Sequence, residues 1–218
     1  MLMIETSERY IFPTFIYESI DKEFSYQKEL IDSCYSLATI YPLLARPRSN
    51  VNGWQSPMFN YNNDPLFFKS NIFKSIWNQF TQTSKYIDLK DEYCFSLKEI
   101  WVNINYPGSY NLSHTHPLSS ISGVFYIKVP ENSGGIVFQN LFETNAAIPA
   151  FSKNKKLTIT EKIKPEEGKM VLFNSYLPHY VEQNHSDDDR ISMSFNVGIS
   201  IKESFNAKQR KIKHIFNH

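Results

Sequence analysis

The sequence predicts a mainly β protein of the α+β class, a jelly-roll or cupin-like double sheet (a double-stranded β-helix) with N-terminal helices packed on one sheet. Three observations predict it. From about residue 93 the apolar pattern takes a period of two, and strand-like stretches follow one another: YCFSLKEIWVNINY, ISGVFYIKVP, GIVFQN, KLTITEKIKP, GKMVLFNSY and RISMSFNVGISI. Pro, Gly and Asn separate these stretches and no helical pattern interrupts them, which favours antiparallel pairing over a parallel sheet with crossover helices. Before residue 93 the apolar residues recur instead at the spacing of amphipathic helices.

Residues 10–20, YIFPTFIYESI, read as an opening strand. Residues 22–41 read as a helix, because Phe24, Leu30, Ile31, Cys34, Leu37, Ala38 and Tyr41 fall near a 3.6-residue period; Pro42 and Pro47 end it. The segment ARPRSNVNGWQSPMFNYNND is loop-like, and Trp54 within it is either a lid or a core anchor. Asp64 and Pro65 form an N-cap followed by proline at the first helical position. The helix they open runs to about Lys85 with Ile72, Phe73, Ile76 and Phe80 on one face, an aromatic stripe that belongs to a core. Further on, Ser133-Gly134-Gly135 is a turn; no Lys-Ser/Thr follows, which excludes a phosphate loop. Lys153 to Lys156 reads as a solvated turn. The basic tail after Lys202 carries Ile201, Phe205, Ile212 and Phe216 near helical spacing, the pattern of a docked helix and not of a nucleic-acid arm. The expected organisation is one structural domain: an N-terminal support region over 1–92, the β core over 93–200 and the tail over 201–218.

A formal net charge of +1 on 218 residues points to no global nucleic-acid or polyanion partner, and none is expected. Cys34 and Cys94 are the only cysteines and form no C-x-x-C, as expected of free thiols in a reducing cytoplasm. No apolar run approaches the ~20 residues of a membrane span, and the N-terminus lacks the basic n-region of a signal peptide. A cytoplasmic chain without a membrane partner follows as the expectation; a homo-oligomer is left open.

The candidate site lies in two stretches. Side chains at i and i+2 of a strand share a face, so His114 and His116 can reach one metal from one strand end. A third ligand must come from elsewhere, and His179, at the mouth of the apolar run VLFNSYLP, is the candidate. Imidazole nitrogens suit Fe, Zn, Cu and Ni, and three ligands on one side leave positions for substrate. Each histidine taken alone could equally be a surface or hydrogen-bonded residue. Arg190 opens the strand ISMSFNV and can point into the same space; its planar fork matches a carboxylate, and Ser192 shares its face. The alternative for Arg190 is a surface pair with Asp187, Asp188 or Asp189.

In order along the chain stand Gly53-Trp54-Gln55-Ser56, Tyr106-Pro107-Gly108, His114-Thr115-His116-Pro117, Ser122-Gly123-Val124-Phe125-Tyr126, Leu177-Pro178-His179-Tyr180-Val181 and Arg190-Ile191-Ser192. This series resembles the 2-oxoglutarate- and Fe(II)-dependent oxygenases, in their prolyl-hydroxylase-like branch, and within it a family of oxygenases found in phages and marine bacteria; the resemblance spans roughly 50–200. It implies an Fe(II) site of His114, His116 and His179. It implies 2-oxoglutarate held at its far carboxylate by Arg190 with Ser192, and cosubstrate-contacting tyrosines at Tyr106 and Tyr126. O2 and a small-molecule or peptidyl substrate, an amino acid or a prolyl residue among them, complete the reaction, which hydroxylates a C–H bond with release of succinate and CO2. A phage-encoded chain would act in the host cytoplasm. His116 departs from the wider superfamily, which places Asp or Glu there: either the three histidines form a working iron site with one more positive charge, the reading favoured here, or His116 is not a ligand. Two alternatives stand beside this reading: a three-histidine cupin-type dioxygenase that binds its organic substrate directly and uses no 2-oxoglutarate, and a catalytically silent jelly-roll binding protein.

Overall fold

Two antiparallel sheets face each other across a cavity in the computed structural model, which describes residues 14–42, 49–60, 70–140 and 158–203. In chain order the elements are β1 (Ile16–Ile20), α1 (Gln27–Ile40), β2 (Asn50–Val51), β3 (Trp54–Gln55), α2 (Asn71–Thr83), β4 (Tyr93–Asn105) and β5 (Tyr110–His114). There follow β6 (Ile121–Lys128), β7 (Ile136–Gln139), β8 (Thr160–Ile163), β9 (Lys169–Asn174), β10 (His179–Val181) and β11 (Arg190–Ile201). The larger sheet has the order β1-β9-β6-β11-β4-β3 and the smaller β2-β5-β10-β7-β8. Every pair is antiparallel, and all but β3–β4 and β7–β8 join strands that are not consecutive in the chain, which gives the predicted jelly-roll.

The strand alternation explains the layering. On β11, Ile191, Met193, Phe195 and Val197 join a core with Leu30 and Cys34 of α1 and Phe73, Ile76 and Phe80 of α2. Both helices therefore cover the outer face of the larger sheet. Arg190, Ser192, Ser194 and Asn196, the intervening residues, line the cavity on the inner face. A second core lies between the sheets, built from Val124, Tyr126, Val171 and Phe173 of the larger and Ile136, Phe138 and Ile163 of the smaller. Gly123 makes the first core close: a Cβ there would stand 2.2 Å from Cζ of Phe195.

Several expectations are refined. The first helix begins at Gln27 and not at 22, because Asp21 Oδ1 accepts hydrogen bonds from the backbone N–H of Glu23 and Phe24, both at 3.1 Å, and holds that stretch in a turn. The second helix begins at Asn71 behind Ser70, whose hydroxyl accepts from Phe73 N at 3.1 Å. The expected Asp64-Pro65 cap lies outside the described residues, as do residues 10–13, Lys153 to Lys156 and the tail beyond 203. Trp54 is a core anchor: it is 4% exposed, its indole N–H donates to Tyr41 O at 2.8 Å, and β3 pairs with β4 at Ile104. Cys34 and Cys94 are free; burial pushes the Cys34 thiol up to about 12. No helix among the described residues is long and apolar enough to cross a membrane.

Candidate metal and cosubstrate site

The smaller sheet brings the histidines together. β10 pairs with β5 so that His179 stands directly opposite His114, an adjacency between residues 65 positions apart. His116 follows two residues after His114, where its backbone N–H donates to Ser175 O at 2.8 Å. Ring centroids lie 4.3 Å apart for His114 and His179, 5.0 Å for His114 and His116, and 5.1 Å for His116 and His179. One nitrogen from each ring lies within 4.8 Å of the others.

For His114 and His179 the tautomer follows from the second ring nitrogen. His114 Nδ1 sits 2.7 Å from Leu112 O and His179 Nδ1 2.9 Å from Leu177 O. A carbonyl only accepts, so each Nδ1 carries the proton and each Nε2 presents a lone pair. His116 Nε2 and His179 Nε2 are 3.3 Å apart, a separation that calls for a proton or a shared cation between them. Burial and the neighbouring His114 and His116 push His179 down to about 3. Burial also holds His114 below its ordinary value, against the opposing pull of the Leu112 carbonyl. Three imidazoles whose nitrogens converge, walled by Phe173 and Phe138 beside His179 and Trp101 beside His116, fit a divalent transition metal.

Arg190 occupies the other part of the same cavity, whose volume is about 280 Å³. It pairs with Asn105 across β4 and is 1% exposed, so the surface-pair alternative is overturned. Two of the three aspartates are engaged elsewhere: Asp188 with Lys128 at 2.7 Å, and Asp189 with the Tyr35 hydroxyl at 2.9 Å. Arg190 Nη1 donates to the carbonyls of Ser133 and Gly134, the latter at 3.1 Å. Those carbonyls belong to the turn seen in the sequence, where Gly134 has φ +77 and a Cβ would meet Gln183 O and Glu182 O at 2.8 Å. Nη2 is buried without a partner. An unpartnered buried donor on a charged group costs ~1–3 kcal/mol or more, so the site is built to receive an acceptor there.

Ser192 and Tyr126 line the cavity and pair with each other across β11 and β6. Burial pushes the Tyr126 phenol up to about 12, with the Arg190 charge opposing. Tyr106 is placed differently from the expectation. The turn after β4, where Gly108 has φ +85, leaves it 40% exposed and off the cavity wall, with its phenol near Asp189. Amide and hydroxyl groups missed by sequence reasoning complete the wall: Asn103, Asn105, Ser194 and Asn196. Asn103 Nδ2 donates to Ser194 Oγ at 3.1 Å, while its Oδ1 is buried without a partner. The signal was present in the period of two: W-x-N-x-N on β4 and R-x-S-x-S-x-N on β11 place these groups on one face.

A jelly-roll whose cavity holds three convergent imidazoles and a buried guanidinium has the donor set of a non-haem metal site. Residues 99–196 match the family described as "Putative 2OG-Fe(II) oxygenase", a segment that includes the three histidines and Arg190. Over that segment the chain is similar to the 2-oxoglutarate- and Fe(II)-dependent oxygenases, and the three histidines that could hold a metal ion lie within it. No curated protein matches the sequence. Among solved structures, a prolyl-4-hydroxylase from Pseudomonas putida is similar at a TM-score of 0.55 and 13% identity, over 84% of this chain and 92% of that one. The α-ketoglutarate-dependent carbocyclase SnoK from nogalamycin biosynthesis is similar at 0.58 and 10%, over 84% and 78%. HygX from Streptomyces hygroscopicus, solved with nickel and 2-oxoglutarate bound, is similar at 0.55 and 12%, over 85% and 83%. At such identities these likenesses establish the fold.

Proposed function

We propose that His114, His116 and His179 hold Fe(II), and that Arg190 with Ser192 and Tyr126 receives the far carboxylate of 2-oxoglutarate. The observation that carries this reading is the orphaned Nη2 of Arg190, buried in the same cavity as the three imidazoles. A carboxylate there completes the guanidinium fork that the Ser133 and Gly134 carbonyls leave half used. When bound, iron supplies the coupling of 2-oxoglutarate decarboxylation by O2, giving succinate and CO2, to hydroxylation of a substrate C–H bond. The chain's own residues bind and orient. The Nδ1 donors of His114 and His179 fix their rings on backbone carbonyls. Phe138, Phe173 and Trp101 keep water from the centre. Three neutral ligands leave the metal's full charge uncompensated, which favours the dianion 2-oxoglutarate as its partner.

In this reading residues 93–200 form the catalytic core, 1–92 its support and 201–218 a tail. The substrate is an amino acid, a peptidyl residue (prolyl included) or another small molecule, and the free thiols Cys34 and Cys94 suit a reducing cytoplasm. The test is incubation of the protein with Fe(II), O2 and 2-oxoglutarate while succinate is measured. Succinate formation that Arg190→Ala abolishes is the expected result. Iron binding without succinate would transfer the site to an oxygenase that takes its substrate directly, and failure to take up metal would remove the catalyst.

A further inference from the structure

The cavity has a second charged end that 2-oxoglutarate cannot reach. Arg190 opens β11, and Asn196 lies six residues along the same face; at the strand rise these stand about 20 Å apart. Register places Arg190 opposite Asn105, Ser194 opposite Trp101, and Asn196 opposite Glu99. A five-carbon diacid is no longer than two extended residues, about 7 Å. The stretch of wall from Trp101 to Glu99 is therefore left for another molecule.

Among the described residues that line the cavity, Glu99 carries the only carboxylate. Its setting is built. Asn196 Nδ2 donates to Glu99 Oε1 at 2.7 Å, and Asn196 Oδ1 accepts from Ser122 Oγ at 2.7 Å. Ser122 has one proton and gives it to Asn196, so its 2.9 Å contact with Ser175 Oγ is donated by Ser175. All three relay residues are 3% exposed or less, and Ser175 O also accepts the His116 N–H. A buried chain of donors thus runs from the histidine loop to the Glu99 carboxylate and fixes its orientation. The β-bulge between Asn196 and Val197 leaves Lys98 as the extra residue of β4, and Glu99 is the last residue of β4 to face the cavity. The adjacent lysine does not neutralise it, since Lys98 Nζ donates to Leu118 O. Trp101, two residues from Glu99 on the same face, lines the same cavity and stands 5.6 Å from the His116 ring.

We infer that Glu99 and Trp101 form a subsite for a protonated amine of the substrate, which seats the amine-bearing molecule beside the metal and away from the 2-oxoglutarate end. The inference rests on the proposed function and adds the substrate's charge class. A fixed carboxylate with one oxygen satisfied by Asn196 offers the other to an ammonium, and an indole beside it adds a cation–π face.

The test compares benzylammonium with benzyl alcohol, probes of similar shape that differ in charge, by equilibrium binding to the full-length chain loaded with metal and 2-oxoglutarate. The expected result is a preference of about tenfold for the ammonium. Glu99→Gln reduces that preference to within about twofold, while Glu99→Asp keeps one of the same sign; melting temperatures near the wild-type value show that both variants fold. Equal binding of the two probes, no measurable binding of either, or a preference that survives Glu99→Gln overturns the inference. 2-Oxoglutarate binding is measured in the same samples. Its absence beside an intact ammonium preference counts against the proposed function and not against the subsite.

Discussion

The two sheets divide the work unequally. The larger contains the two longest strands, twelve residues in β11 and thirteen in β4, and its outer face is sealed by two helices over Ile191, Met193, Phe195 and Val197. The smaller is built from strands of two to five residues, yet it carries His114 and His179, with His116 just beyond β5. Arg190 sits on the larger sheet and the metal ligands on the smaller, so the site exists only where the two sheets face each other. Stability is concentrated in one layer and metal chemistry in the other, and substitutions in the two should have separable effects.

The largest expected effect lies in the larger sheet. Phe195→Ala removes a ring that is 2% exposed, packed edge-on against Phe80 at 5.9 Å; a loss of ~3–5 kcal/mol in unfolding free energy is expected by denaturant titration. Metal affinity of the folded fraction should stay near wild type. Next comes the cosubstrate end. Arg190→Ala should weaken 2-oxoglutarate by about a hundredfold, roughly 3 kcal/mol, in calorimetric titration of the metal-loaded protein, with metal uptake preserved.

The third effect is one of pH on the metal-free protein. His179 is held down to about 3 by burial and its neighbours, and His114 is lowered in the same direction. The unfolded chain therefore binds protons that the folded chain excludes. The stability these groups contribute is fully present above the unfolded histidine value, about 6.5, and is lost as pH falls toward 3. Melting curves of the metal-free protein should shift downward across that window, and less so in His179→Phe. The smallest effect is expected at the surface: Lys128→Ala breaks an exposed pair with Asp188 and should cost less than ~1 kcal/mol.

The same contrast explains what could be read from the sequence. β4, β6, β9 and β11 are long enough for their alternation to be seen, and the ends of β11 were read correctly. β5 (YNLSH) and β10 (HYV) are too short and polar to declare themselves; long-range pairing makes them strands. The His-x-His spacing and Arg190 were legible as chemistry, but the registration of His179 opposite His114 is set by closure of the roll and not by any local pattern. The amide wall lies in the polar half of the alternation on β4 and β11, whose apolar half forms the core. Tyr106 failed for a local reason, since the Pro107-Gly108 turn carries it outward. The start of α1 is not legible from the apolar period, because a side-chain turn at Asp21 competes with helix.

The most direct measurement is equilibrium binding of 2-oxoglutarate under anaerobic conditions to the wild type, His116→Ala and Arg190→Ala, each with and without Fe(II). The account predicts that 2-oxoglutarate binds the wild type tightly only when iron is present. It predicts that His116→Ala loses metal and cosubstrate together, and that Arg190→Ala keeps the metal and loses the cosubstrate. Undiminished 2-oxoglutarate affinity in Arg190→Ala, or metal affinity unchanged in His116→Ala, would contradict it.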